Sequence, residues 1–251
     1  MFLTRRIARK LGEIIERAPE PLTKLTESET FFKETVRKFA SNVVQPRIRE
    51  MDKNSKMSQV VIDGVFENGL MGVHVPEVYG GSGSTFFDAM LIIEELAKVD
   101  PAVSAMVAIH NTLPVSMILD HGNEEQKLEY LPKLCQGTLG SFAISEAEAG
   151  SDAFALKTIA KKDGDHYIIN GSKSWITNSS EAGVFVVFAN IDPSLGYKGI
   201  TCFIVDRNQE GVSVGKEEDK LGIRASSTCQ VHFDNVRVEE SKVLGELGKG
   251  E

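Results

Sequence analysis

The stretch Ala143-Ile-Ser-Glu-Ala-Glu-Ala-Gly-Ser-Asp-Ala-Phe-Ala155 lies between two parts of the sequence with different patterns. It follows the apolar run Phe142-Ala143-Ile144 and continues into small residues around Gly150. A loop without bulky side chains lets the backbone approach a flat cofactor closely. The hydroxyls of Ser145 and Ser151 could satisfy polar ring edges or a phosphate. An ordinary surface turn is the alternative interpretation of so short a motif.

A second candidate stretch is Trp175-Ile176-Thr177, which contains the one tryptophan of the chain. Its flanks, Ser174 and Asn178, are polar and indicate a strand end near solvent. A flat indole beside hydrogen-bonding side chains would suit a flavin. Core packing is the alternative, because buried aromatic rings are common in proteins.

Upstream of the small-residue loop, residues 27–137 have a helical pattern. Thr26 with Glu29 and Asn123 with Gln126 predict capping boxes. Asp100 followed by proline predicts another helix start. Prolines at 46 and 114 should bend or divide the helices that contain them. Apolar side chains predicted to face the core of the first helix are Phe31, Phe32, Val36, Phe39, Ala40 and Val43.

Downstream, residues 138–244 predict a β domain. Asp163-Gly164 between two alternating runs is a strong hairpin signal. Further strands are predicted at 139–144, 184–189, 200–205 and 230–233, which are rich in Val, Ile and Phe. The predicted fold class is therefore α+β, an all-α N-terminal domain followed by an antiparallel, barrel-like β domain.

Composition limits the possible partners. The net charge is -8 and the sequence pI is about 5.3, which argues against nucleic acid because phosphate binding needs a basic patch. The three cysteines have no close spacing, so neither a disulfide framework nor a metal site is predicted. The sequence contains no run of 18 apolar residues, so no transmembrane helix is predicted.

Residues 1–26 differ from the rest and are predicted to be a leader and linker. Basic and apolar side chains separate onto different faces when the first 18 residues are projected as a helix. This pattern is typical of a mitochondrial transit peptide, although Glu13 and Glu16 are unusual in one. A solvated amphipathic helix is the alternative. The transit-peptide interpretation implies a mitochondrial matrix protein.

Several separate stretches carry a family resemblance. They are Gly69-Leu-Met-Gly72 with Glu77-Val-Tyr-Gly-Gly81, Ile93-Glu-Glu-Leu-Ala-Lys-Val-Asp100, His121-Gly-Asn-Glu-Glu-Gln-Lys127, Ile144-Ser-Glu with Ala149-Gly-Ser-Asp152, Asn170-Gly-Ser-Lys-Ser-Trp-Ile-Thr177, Gly196-Tyr-Lys-Gly-Ile200 and Lys220-Leu-Gly-Ile-Arg-Ala-Ser226. With these motifs, residues 27–251 resemble the acyl-CoA dehydrogenases, and especially their short- and branched-chain members.

The resemblance implies a site for FAD and acyl-CoA. Trp175 would cover the isoalloxazine ring and Thr177 would hydrogen-bond near N5. Ser151 and Tyr197 would lie along the acyl-CoA, although Tyr197 could instead pack a hairpin. Arg224 is assigned a structural role by default, with a conformational or interface role as the alternative. Glu148 replaces a more usual glycine, and its charged side chain must point to solvent or it would push on the loop and weaken FAD binding. Residues implied to line the FAD are Phe142, Ala143, Ile144, Ser145, Gly150, Ser151, Trp175, Ile176 and Thr177.

The resemblance also implies an α,β-dehydrogenation of short or branched acyl-CoA, such as 2-methylbutyryl-CoA, with electrons passed to an electron-transferring flavoprotein. In such family members a C-terminal four-helix domain supplies the base, further FAD contacts and most homotetramer contacts. Residues 245–251 resemble its start, so that domain is expected to be absent, the chain to be truncated and turnover to be low. No residue is assigned as catalytic. The alternatives are a 2-methyl-enoyl-CoA reductase, or a non-catalytic flavin-binding or interaction module.

Overall fold

The computed structural model describes residues 24–250. The predicted leader therefore lies almost entirely outside the described residues. Within that range the first part of the chain is helical up to Gln136, and the remainder is a β domain, as predicted. The α-helices are α1 (Glu27–Phe39), α2 (Ile48–Asn54), α3 (Gln59–Glu67), α4 (Phe86–Ala97), α5 (Pro101–His110), α6 (Ser116–His121) and α7 (Glu124–Gln136).

Local capping chemistry fixes the helix starts. Thr26 and Asn123 form the two predicted capping boxes, at the starts of α1 and α7. Thr85 forms a further one with Asp88 at α4. Asp100 accepts the N–H of Ala102 at 2.7 Å, with proline at the first position of α5. Each cap satisfies a backbone N–H that the helix leaves unpaired.

Both prolines that were predicted to disturb helices do so. The chain after α1 passes through a π-helical turn, Ala40–Val44, and a 3₁₀ turn, Gln45–Arg47, that contains the first of them. The second lies in another π-helical turn, Asn111–Val115, between α5 and α6. Proline cannot donate the helical hydrogen bond, so the helix widens or tightens there.

The β domain has eight strands, β1 (Leu139–Ala143), β2 (Ile159–Asp163), β3 (His166–Thr177), β4 (Ala182–Asn190), β5 (Ile200–Asp206), β6 (Val212–Glu217), β7 (Thr228–Glu239) and β8 (Val243–Leu244). They form one sheet with the order β6-β7-β3-β2-β4-β5-β8, and β1 pairs with β4 outside this path.

Most strand pairs are antiparallel, and the predicted β2–β3 hairpin is present. The main exception is β1, which runs parallel to β4, from Leu139 opposite Ala182 to Ala143 opposite Val187. The β2 strand also makes one parallel bridge to β4. Strand β6 was not predicted.

Alternate residues of β4 enter two different cores. Val184, Val186 and Phe188 pack with α6 and α7, whereas Phe185 and Val187 face the opposite side of the sheet. Residues of β1 to β5 and of β7 all contribute to this second core, the barrel core, so distant parts of the sheet share one interior, in keeping with the predicted barrel-like form. A third core belongs to the helices α1 to α5.

The first helix corrects one predicted core position. Phe32 packs against the helical core, but Phe31 is 71% exposed. Phe32 and Val36 are four residues apart and share a face of α1, whereas Phe31 points away from it. The helical run Pro101–His121 is long and apolar enough to span a membrane by composition, and 56% of its apolar 18-residue window is buried in the protein.

Candidate functional site

The predicted cofactor loop starts where β1 ends. The N–H of Glu146 donates to the carbonyl of Ala149 at 3.0 Å, and the N–H of Ala149 donates back at 3.2 Å. Ala149 is buried, while Gly150 and Ser151 are exposed. The loop is therefore anchored at its base and presents its small residues to solvent.

Neither of the two usual structural requirements for glycine applies at position 150. Its φ is not in the left-handed region, and a Cβ placed on it would have no atom within 4 Å. Neither backbone conformation nor packing within the chain excludes a side chain there. Close approach of another molecule to this backbone would explain the glycine.

Trp175 projects from a bulge in β3. The pairing with β7 shifts between Lys173 and Ile176, and Trp175 has a φ of 61°. The left-handed conformation is rare for a bulky residue and costs roughly 1–3 kcal/mol. The indole is 61% exposed, so the core-packing interpretation of this tryptophan is wrong.

The two predicted stretches are adjacent. The N–H of Ser174 donates to the carbonyl of Ser145 at 2.9 Å. The hydroxyl of Ser141 donates to the carbonyl of Thr177 at 2.5 Å. These contacts place the loop after β1 alongside the bulge of β3, so that one side of the β domain carries both.

The other predicted flavin-lining residues differ in how far their side chains are buried. The side chains of Ala143 and Ile176 are buried in the barrel core, so only their backbone could face a ligand. Phe142 and Ile144 are partly buried against the other core. Thr177 is partly exposed at the end of β3.

A cleft of about 950 Å³ lies next to the loop. It is bounded by Ile144, Phe154, Phe188 and Cys202 from the β domain. The end of α6 and residues 244–250 form its other walls, including His121 and Lys249. Apolar walls with a few charged groups at the rim are typical of small-molecule sites.

Tyr197 contacts Phe154, which follows the cofactor loop. The two rings lie 5.6 Å apart at 39°, and both are about half exposed. Phe154 also lines the cleft, and Ser151 lies three residues before it. Sequence reasoning did not single out Phe154, because an exposed aromatic residue in a loop has no periodic signal.

Sequence reasoning also missed an ion pair beneath the loop. Lys173 donates to a carboxylate oxygen of Glu146 at 2.7 Å, and the side chains are 0% and 9% exposed. Tyr167, Ile169 and Lys173 occupy inward-facing positions of β3. A lysine at an inward-facing position of a strand indicates that an acidic partner is buried with it.

Glu148 points to solvent, as predicted, and Arg224 contacts the helical domain. Glu148 is exposed and pairs with the equally exposed Lys157. Arg224 donates from Nε to the carbonyl of Asp52 at 3.1 Å, which ties the loop before β7 to α2. Among residues 24–250, no group of three or more His, Cys, Asp or Glu could hold a metal ion.

The two-part architecture is that of a flavoprotein dehydrogenase family. Residues 26–138 match the N-terminal domain of acyl-CoA dehydrogenases, and residues 141–236 match the middle domain. The chain therefore belongs to the acyl-CoA dehydrogenase family, whose members are FAD-dependent oxidoreductases.

Individual relatives agree with this assignment. The chain is 52% identical over 230 residues to the mitochondrial short/branched chain specific acyl-CoA dehydrogenase of Rattus norvegicus, covering 92% of this chain and 53% of the relative. The structure of butyryl-CoA dehydrogenase from Megasphaera elsdenii superimposes with a TM-score of 0.88 at 37% identity, covering 90% and 61%.

An acyl-CoA dehydrogenase from Bacillus anthracis, solved in complex with FAD, gives a TM-score of 0.84 at 35% identity, covering 91% of this chain and 40% of that one. The chain spans about half the length of the curated mitochondrial relatives that it matches.

Proposed function

We propose that this chain forms the flavin-binding half-site of a short/branched-chain acyl-CoA dehydrogenase. The observation that carries the proposal is the exposed indole of Trp175 on a left-handed bulge, hydrogen-bonded through its neighbour to the loop that carries Gly150. A conformation that costs free energy is retained where a ligand uses it.

The described residues fit an FAD in this position. The indole would cover one face of the ring system, and Thr177 would donate at its reactive edge. Ser145, Gly150 and Ser151 would offer hydroxyl and backbone N–H groups to its polar edges. Backbone around Ala143 and Ile176 would line the same space, flanked by Phe142 and Ile144. When bound, FAD supplies the hydride acceptor that no amino-acid side chain can provide.

Acyl-CoA would extend along the loop toward the cleft. Ser151 and the Phe154–Tyr197 pair would contact it from the rim. The mostly apolar lining suits an acyl chain or pantetheine arm. We propose short or branched acyl groups, of the 2-methylbutyryl type, on the identity to relatives named for that specificity.

The proton-abstracting base is not assigned within the described residues. Glu146 is the acid closest in sequence to Ser145, but Lys173, Thr158 and the N–H of Lys157 occupy its carboxylate. A general base must be free to reach the substrate proton. We therefore propose that the 251-residue chain turns over slowly, if at all, without groups from outside it.

Beyond the flavin site, we propose the partner, the oligomeric state and the location that the resemblance to the family implies. An electron-transferring flavoprotein would accept the electrons, and the protein would form a homotetramer. The mitochondrial matrix is the proposed location, on the names of the relatives and on the amphipathic first residues.

The test is an absorbance spectrum after FAD is added and the excess is removed. Near-stoichiometric retained flavin with shifted bands is expected. Trp175→Ser should lose the flavin, and Leu128→Ser, which removes an exposed apolar side chain on α7, should not. Loss of all flavin from the unmodified chain would overturn the half-site. Rapid bleaching by 2-methylbutyryl-CoA would overturn the proposed lack of turnover.

A further inference from the structure

The buried pair of Lys173 and Glu146 connects three separate segments of the β domain. Lys173 Nζ donates to Glu146 at 2.7 Å and to the carbonyl of Ile144 at 3.1 Å. The second carboxylate oxygen of Glu146 accepts the N–H of Lys157 at 2.6 Å. Thr158 donates to the first oxygen from its N–H at 3.0 Å and from its hydroxyl at 2.5 Å. The strand β3, the cofactor loop and the approach to β2 therefore meet at one carboxylate.

The charges of this pair are costly to bury. Burial lowers the pKa of Lys173, and Glu146 opposes that effect. Burial alone would raise the pKa of Glu146, but the hydrogen bonds from Lys173, Thr158 and Lys157 outweigh it and leave the pKa below its usual value. Since buried ion pairs often contribute little net stability over apolar side chains, stability alone is a weak reason for this one.

The position of the pair suggests another reason. Glu146 also closes the turn with Ala149 through its backbone, and Ser145 accepts from Ser174, the residue between Lys173 and the indole. One side of the ammonium group thus faces the loop, and the strand that carries it continues directly into Trp175. Displacement of Lys173 would therefore move both the cofactor loop and Trp175.

We propose that Lys173 and Glu146 are positioning residues, which hold the loop at 144–151 in register with Trp175 before any cofactor binds. This inference rests on the proposed flavin function. Groups fixed by packing and hydrogen bonds in the free protein need no ordering when the ligand binds, so they bind it more tightly.

The variants are Lys173→Met, Glu146→Gln and the double variant. Glu146→Gln preserves the shape of the side chain and is the mildest of them. The matched controls are Lys157→Met and Glu148→Gln, which break the exposed ion pair on the same loop and keep the backbone N–H of Lys157.

Two readouts are needed. The first is the dissociation constant of FAD. It should rise about tenfold or more in the single variants, the factor that corresponds to one lost charge-assisted hydrogen bond, and stay within about twofold in the controls. The second is the fluorescence of Trp175 without FAD, which has no background because the chain contains one tryptophan. Its anisotropy should fall and its quenching by acrylamide should rise in the buried-pair variants only.

The double variant separates positioning from stability. Removing both charges leaves no unpaired buried ion, so the midpoint of urea unfolding should recover relative to Lys173→Met. The affinity for FAD should not recover, because methionine cannot donate to the carbonyl of Ile144. Recovery of both would overturn the proposal, as would FAD affinities of the single variants equal to those of the controls.

Failure of the flavin function gives a different pattern. If the unmodified chain binds no FAD, the tryptophan measurements still decide whether the pair orders the site. Unchanged anisotropy and quenching in the buried-pair variants would then overturn the positioning role.

Discussion

The imidazole Nδ1 of His110 accepts a hydrogen bond from the backbone N–H of Gly140, with 3.0 Å between the two nitrogens. Because a backbone N–H can only donate, Nδ1 carries no proton and Nε2 donates to the carbonyl of Leu134 at 3.0 Å. The neutral ring thus links the end of α5 to the first strand of the β domain and to α7.

Because His110 is buried and neutral, the folded protein should lose stability in acid. Burial lowers the pKa of His110 to about 4, and its hydrogen bond to Leu134 offsets only part of that effect. The unfolded chain protonates this ring near pH 6.5 and the folded chain resists it, so stability is complete above pH 6.5 and falls as pH decreases toward 4. Urea unfolding at several pH values should show a loss of about 3 kcal/mol from this group.

A matched pair of variants tests the source of that loss. His110→Gln should be less stable at pH 7 but should lose less additional stability between pH 6.5 and 5. His121→Gln, which removes an exposed histidine, should keep the pH dependence of the unmodified chain. If the free energy of unfolding depends on pH in the same way in all three proteins, another group is responsible for the loss.

Asn111 should be essential for the helical domain. Its side-chain oxygen accepts the N–H of Gly72 at 2.7 Å and its amide donates to the carbonyls of Leu70 and Val107 at 3.0 Å. Asn111→Ala would leave these buried groups unpaired, so we expect a loss of about 3 kcal/mol in the free energy of unfolding. Asn208→Ala, at an exposed position, should change it by less than about 0.5 kcal/mol.

At position 175, the usual stability order of alanine over glycine in a strand should be reversed. Glycine is normally about 0.5–1 kcal/mol less stable than alanine within a strand. At a φ of 61° the Cβ of alanine is strained, so Trp175→Gly should be more stable than Trp175→Ala by about 1 kcal/mol. The same pair at exposed Gln230 in β7 should keep the normal order, measured by circular dichroism during urea unfolding.

The Phe154–Tyr197 pair should affect the binding of acyl-CoA. Phe154→Ala and Tyr197→Ala should each weaken the binding of 2-methylbutyryl-CoA to the FAD-loaded chain, and their coupling should be about 0.5–1 kcal/mol because the rings touch. Tyr197→Phe should bind like the unmodified chain. Phe31→Ala, which removes an exposed ring far along the sequence, is the control for titration calorimetry. Additive effects without coupling would contradict a shared contact.

The helical domain was largely predictable because its signals are local. The caps at Thr26, Asp100 and Asn123 act within three residues of themselves, so the sequence contains the whole interaction. The core prediction for Phe31 failed because this residue lies about 100° around the helix from Phe32, outside the stripe that Phe32 and Val36 turn toward the core. The capping box at Thr85 was missed, although the pattern of Thr85 with Asp88 resembles the two that were found.

The sheet and the site were harder to predict where partners are distant. The parallel pairing of β1 with β4 joins residues about forty positions apart, and local turn signals do not encode it. Glu146 and Lys173 are 27 residues apart, so the phase of Lys173 in β3 indicates a buried partner but not which one. The exposure of Trp175 depends on a bulge that composition does not reveal.

The parallel strand β1 has a consequence for how the protein unfolds. It follows α7 directly, yet its pairing partner β4 lies beyond the β2–β3 hairpin. A cut near residue 137 would leave β1 paired with β4, but it would divide the core that Val184 and Val186 share with α6 and α7, so the two pieces would not be autonomous folding units. Hydrogen exchange should find the two regions opening as one cooperative foldon.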